Sequence, residues 1–148
     1  MTPLFRTATP ADLPLLLELM QEFYQEEHLR FDPERTPRAV GQLLENRMYG
    51  VAELMTGGED VVGYLVLSFG FSLEFGGRDA LLDELYVRES FRGRGIGRAA
   101  LQHVEEISRR EGIIATHLHV DRGNAGAARL YGAAGYQAHD RDIMTKWL

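Results

Sequence analysis

Between Ala80 and Arg110 the hydrophobic period changes across a glycine loop, "RESFRGRGIG". The run "ALLDELYV" before it reads as a strand. Leu101, Val104 and Ile107 after it recur at helical spacing, over a helix from about Gly95 to Arg110 that Gly112 ends. Strand, short loop, then glycines at a helix start bring the unpaired N–H groups of the first turn and the positive end of the helix dipole onto an anion. Gly93, Gly95 and Gly97 let a ligand approach the main chain around Ile96. Arg92, Arg94 and Arg98 add charge suited to a diphosphate or a 3′-phosphate. The bland alternative is a tight turn with solvated arginines.

The spacing excludes two familiar phosphate loops. No G-x-x-x-x-G-K-[ST] occurs, so nucleotide hydrolysis loses its main support. The dinucleotide fingerprint needs G-x-G-x-x-G, and the glycines here fall one residue short, after the fourth strand and not the first.

The rest of the chain supplies the surroundings. "PLFRTAT" reads as a first strand. "TPADLPLLLELMQEFYQEE" opens a helix capped by Thr9, with Pro10 and Asp12 in the first turn and Leu13, Leu16, Leu17, Met20 and Phe23 on one face. Thr36-Pro37 repeats the start signal for a helix with Val40, Leu43 and Leu44 inward. "YGVAELMT" and "VVGYLVLSFGFS" are strands joined by the turn "GGED". "IIATHLHV" is another strand, "NAGAARLYGAA" a short helix stopped at Gly135, and "YQAHDRDIMTKWL" a closing hairpin with Trp147 in its core. The order β-α-α-β-β-β-α-β-α-β-β predicts one α/β sheet with helices on both faces, in one domain over residues 1–148.

Composition narrows the function. A net charge of −6 over 148 residues argues against a nucleic-acid partner, which needs a basic face. It suits a cationic substrate, and equally plain solubility. With no cysteine there is no disulfide, thiolate zinc site or cysteine nucleophile. No basic-then-apolar leader opens the sequence and no apolar stretch approaches the roughly 20 residues that span a bilayer. The expectation is a cytoplasmic protein with no membrane partner.

Two motifs carry a resemblance. Arg92-Gly93-Arg94-Gly95-Ile96-Gly97 matches [RQ]-x-x-G-x-[GA], the acetyl-CoA pyrophosphate motif of the GNAT superfamily of N-acetyltransferases. Asn124, Ala127, Tyr131, Gly135 and Tyr136 match that family's second cofactor motif, N-x-x-A-x-x-x-Y-x-x-x-G-[FY]. The element order fits over essentially the whole chain. The resemblance implies a mixed, mostly antiparallel sheet of about seven strands flanked by about four helices. It also implies acetyl-CoA as co-substrate and a direct ternary complex. Homodimers are common in the family.

An N-acetyltransferase must deprotonate an amine whose pKa is near that of lysine, about 10.4. Asp83 and Glu84, adjacent and therefore on opposite strand faces, are the acids available on the fourth strand. The family's base positions favour Asp83. Leu85, Tyr86 and Val87 would serve through their main chain, pairing with the pantetheine arm; the Val87 N–H would polarise the thioester carbonyl. Tyr131 would protonate the thiolate of CoA. Asn124 would cap its helix and meet pantetheine. The region around Glu26, Glu27, His28 and Phe31 lines the acceptor site in relatives, and Glu74 and Asp79 would help attract a cation. His117 and His119 share a strand face, where they would be acceptor-site bases, pH-sensitive contacts or plain structural residues; no third ligand makes them a metal site, and no metal is implied. The acceptor favoured is a small amine or polyamine. Acetylation of a protein N-terminus or lysine, and a non-catalytic acyl-CoA-binding or sensing module, stay open.

Overall fold

The computed structural model describes residues 1–148. Its elements are β1 (Leu4–Thr7), α1 (Leu13–Glu26), α2 (Arg35–Glu45), β2 (Gly50–Gly57), β3 (Asp60–Ser72), β4 (Gly77–Val87), α3 (Ile96–Arg110), β5 (Ala115–Leu118) and α4 (Ala125–Ala133). No helix is long and apolar enough to cross a membrane.

Local chemistry sets the helix starts. The Asp12 carboxylate accepts the Thr9 backbone N–H at 2.8 Å and both arms of the Arg6 guanidinium, closing a short 3-10 turn over Pro10–Asp12. Those donors hold its carboxyl far below the usual carboxylate range. Pro14 falls in the first turn of α1, where a missing N–H costs nothing. α2 starts earlier than Thr36-Pro37 suggests, because Asp32 accepts the backbone N–H groups of Glu34 and Arg35 at 2.9 and 2.8 Å. Gly58, at φ +67°, turns the tight β2–β3 hairpin.

The strands lie in sequence order, antiparallel from β1 to β4, with β5 parallel to β4. The sheet is thus mixed and mostly antiparallel, and it has five strands, not about seven. The expected closing hairpin is the difference. After Gly135 the chain runs to Leu148 in no helix or strand, and Trp147 is 83% exposed instead of core. β5 offers only four residues of edge. The polar run His139–Asp142 is drawn to surface loops instead, Arg141 to Glu74 at 2.7 Å and Asp142 to Arg122 at 2.9 Å.

Two cores sandwich the sheet. α1 and α2 bury Leu16, Leu19, Met20 and Val40 against Leu54, Tyr64 and Tyr86. α3 buries Ile96, Leu101, Val104 and Ile107 against Val51, Leu65, Leu67 and Leu82. Each such side chain stabilises the fold by about 1.5–3 kcal/mol. β3 and β4 contribute to both cores.

Candidate active site

β4 outruns its neighbour. β5 pairs with it only from Asp79 to Leu82, so Asp83–Val87 has β3 on one side and no strand on the other. The Arg88 N–H is given to the Val62 carbonyl on the β3 side at 2.8 Å. Main-chain groups alternate along a strand, so those of Tyr86 and Glu84 also face β3, while those of Leu85 and Val87 face the open edge. The Val87 carbonyl accordingly accepts from Arg92 Nε at 2.8 Å. Of the three residues read as main-chain contacts, Leu85 and Val87 are therefore available and Tyr86 is not.

The open edge leads into the glycine loop. Gly93 and Gly95 hold φ of +74° and +80°, and a Cβ at either would meet nothing within 4 Å. The backbone demands glycine while the space above it stays open. The first intrahelical bond of α3 runs from the Ala99 N–H to the Gly95 carbonyl at 3.0 Å. The N–H groups of Ile96, Gly97 and Arg98 have no acceptor within the helix. Gly97 lets α4 approach, since its Cβ would lie 3.3 Å from Leu130 Cδ2. Such a geometry suits an anion. Its arginines differ in availability. Arg92 is held by Glu26 at 2.5 Å and lies over the Tyr86 ring. Arg94 donates to the Ser90 carbonyl at 3.0 Å. Arg98 has no side-chain partner and is exposed.

Behind the sheet, between α1, α2 and the strands, lies a cavity of about 950 Å³. Asp83 and Glu84 both line it. Strict alternation would separate them; a β-bulge prevents this. Val66 pairs with Glu84 and Leu67 with Leu82, so Asp83 is the extra residue of the ladder. The two carboxylates differ in their surroundings. Glu84 accepts the Tyr24 hydroxyl at 2.5 Å on one oxygen and the Tyr64 hydroxyl at 3.0 Å on the other. Burial pushes its carboxyl up, against the pull of those phenols. Burial and the neighbouring charge push both phenols well above their ordinary range. Asp83 has no hydrogen-bond partner and is open to the cavity's solvent on one side. The walls around it still raise its pKa, opposed by the charge of His119.

Tyr131 sits on α4, half-buried against the α3 core and edge-on to Tyr136 at 6.1 Å. Burial raises its phenol, with the charge of Glu27 adding to the shift. Asn124 caps α4, its Oδ1 accepting the Ala127 N–H at 3.1 Å. His28, at φ +55°, and Glu27 are exposed on the α1–α2 connection and outside the cavity wall. Glu74 is paired with Arg141, and Asp79 lies 3.2 Å from His117. Sequence reasoning passed over Tyr24, Tyr64, Arg30 and Arg35, which the fold brings to Asp83 and Glu84 or to the same cavity. Only a tertiary signal would have found the phenols, because they stand 60 and 20 residues from Glu84.

Comparison with known proteins agrees with this fold. Residues 13–136 match the acetyltransferase (GNAT) family. The thialysine N-epsilon-acetyltransferase of Bos taurus is 32% identical over 144 residues, covering 90% of this chain and 84% of its own. The enzyme of that name from Caenorhabditis elegans is 24% identical, covering 88% and 80%. Among solved structures, an integron cassette protein from the mobile metagenome of Cole Harbour Salt Marsh superposes with a TM-score of 0.86 at 35% identity, covering 97% of this chain and 90% of its own. A possible acetyltransferase from Clostridium difficile 630 shares the fold, with a TM-score of 0.86 at 20% identity, covering 100% and 99%.

Proposed function

The chain belongs to the acetyltransferase (GNAT) family, and we propose that it moves the acetyl group of acetyl-CoA to a primary amine of a small molecule. That it is an acyltransferase follows from the family and its thialysine N-epsilon-acetyltransferase relatives. One observation carries the finer reading. A strand edge without a partner runs from a solvent-facing, unpaired carboxylate to a glycine anion cradle.

Acetyl-CoA, the family's co-substrate, supplies an activated acetyl thioester. The residues present suit it. The main-chain groups of Leu85 and Val87 would receive the pantetheine amides in the manner of an added strand. The N–H groups of Ile96, Gly97 and Arg98, approached across Gly93 and Gly95, would hold the pyrophosphate, with Arg98 and Arg94 adding charge. Arg92, bound to Glu26 and to the Val87 carbonyl, braces the loop against α1. Asn124 and Ala127 shape the start of α4 beside it.

Asp83 takes the proton of the acceptor ammonium, directly or through water, because its oxygens are uncommitted whereas both Glu84 oxygens are held by phenols. Glu84 holds the Tyr24 phenol in the cavity wall and the Tyr64 phenol in the core behind it. The Val87 N–H, facing the open edge, donates to the acyl oxygen as negative charge develops there. Tyr131, kept protonated by its raised pKa, gives a proton to the departing thiolate. His119 tunes Asp83 electrostatically.

The reading is tested by free-thiol release from acetyl-CoA with a panel of primary amines. Turnover with a small amine is the expected result. Tight CoA binding with no turnover on any amine would leave only an acyl-CoA-binding module. Replacing Gly95 by alanine forces a Cβ into a left-handed backbone, at a cost of about 1–2 kcal/mol. Calorimetry is expected to show acetyl-CoA binding weakened by roughly tenfold or more, with acceptor binding unchanged.

A further inference from the structure

Among the 16 lysine and arginine residues, all but Lys146 are arginine. A guanidinium stays protonated and offers no lone pair to an acyl group. Lys146 therefore carries the one side-chain primary amine of the chain. Its position bears on the reaction. Trp147, the next residue, lines the cavity that holds Asp83 and Glu84, and is itself exposed, so it stands at the cavity's open side. Consecutive Cα atoms are about 3.8 Å apart, which puts the Lys146 main chain at the same opening.

The segment around Lys146 is loosely held. Residues 137–148 make no main-chain hydrogen bond. Two exposed ion pairs tie the segment to surface loops, Arg141 to Glu74 and Asp142 to Arg122, and no hydrogen bond follows Asp142. From Asp142 to Lys146 the chain can extend by about 13 Å. Lys146 is exposed and has no ion-pair partner. Asp83, in the cavity, is a carboxylate without a hydrogen-bond partner. A free cation on a short tether and a free carboxylate thus stand at one cavity.

We propose that the enzyme acetylates its own Lys146, the segment after Asp142 turning its ε-amine into the cavity toward Asp83. This rests on the acetyl-transfer reading above. A short tether holds the amine at an effective concentration on the order of millimolar, so the reaction needs no binding site for the lysine. The nitrogen forms an amide bond to the acyl carbon as the carbon–sulfur bond breaks. Of the three protons on the ammonium, one stays on the amide, one is matched by the proton that Tyr131 gives to sulfur, and one leaves through Asp83 to solvent. The products are acetyl-lysine at position 146 and free CoA.

The experiment incubates the full chain with acetyl-CoA and no added amine. Intact mass reads the acetyl groups gained, and peptide mapping separates Lys146 from the α-amine of the first residue. One acetyl group on Lys146 is expected, with matching thiol release and a rate constant that does not change when the chain is diluted. A small amine at saturation should suppress the modification, because both acceptors use Asp83. Asp83→Asn is expected to slow it about 10²-fold. Lys146→Arg should abolish it and keep turnover with the small amine. Lys146 left unmodified, modified equally fast in Asp83→Asn, or modified at a rate that falls on dilution would overturn the intramolecular transfer while acetyl transfer to small amines stood. No thiol release under any condition would overturn the acetyl-transfer reading, and this inference with it.

Discussion

Tyr131→Phe is expected to lower kcat by roughly 10²- to 10³-fold at pH 7 while acetyl-CoA binding and Tm stay at their wild-type values. The two rings are nearly isosteric, and the Tyr131 ring packs against the α3 core through its carbon face. What is lost is one proton donor. Its pKa lies above the ordinary phenol range because of burial and the charge of Glu27, so the wild-type side chain stays protonated through neutral and mildly alkaline pH. A thiol titrates near pH 8.5, and above that a thiolate departs with less need of an acid. The deficit of the variant should therefore shrink as pH rises past about 8.5. An unchanged kcat across pH, with the chemical step shown to limit the rate, would remove Tyr131 from the reaction.

Asp83→Asn is expected to lower kcat about 10²-fold at pH 7. Its deficit should close only near pH 10, where a free amine arrives without needing a base. The different pH at which each variant recovers separates the two roles. The same substitution is expected to raise thermal stability. Asp83 has a folded-state pKa above its unfolded value, so ionising it costs the native state. That cost is absent below the unfolded pKa, grows as pH rises between the two values, and is complete above the folded one. The Tm gain of the variant should thus appear at pH 7 and vanish near pH 3, as a thermal melt at both pH values will read. Together the two results would show function at this position held against stability, as active-site carboxylates commonly are.

How far these positions were readable before the fold was known depends on the range of the interaction that sets them. The glycine loop that opens α3 was legible because its chemistry is local: glycines, helix start and arginines lie within seven residues, Arg92–Arg98. The α3 stripe was legible for the same reason, and Leu101, Val104 and Ile107 are all buried. Asp83 and Glu84 were legible as residue types but not as neighbours on one wall. A bulge depends on how two strands register, and Val66 and Leu67 on β3 decide it. The partners of Glu84 were hidden by sequence distance, and the arginines of the α1–α2 connection had no motif around them. The closing hairpin failed on the opposite ground. Its alternation favoured strands, but a run of charged residues found ion pairs at the surface that the short edge of β5 could not outbid.

On the proposed binding mode, the open edge of β4 also acts as a ruler. Asp83–Val87 spans about 13 Å at roughly 3.3 Å per residue. On that mode, a donor held by its phosphates at the glycine loop lies against that edge with its thioester at one fixed mark, the Val87 N–H. Distance along the backbone then chooses the acyl carrier. A thioester on a shorter arm would fall short of the mark however well its acyl group fitted, and the strand's side chains remain free to serve the core.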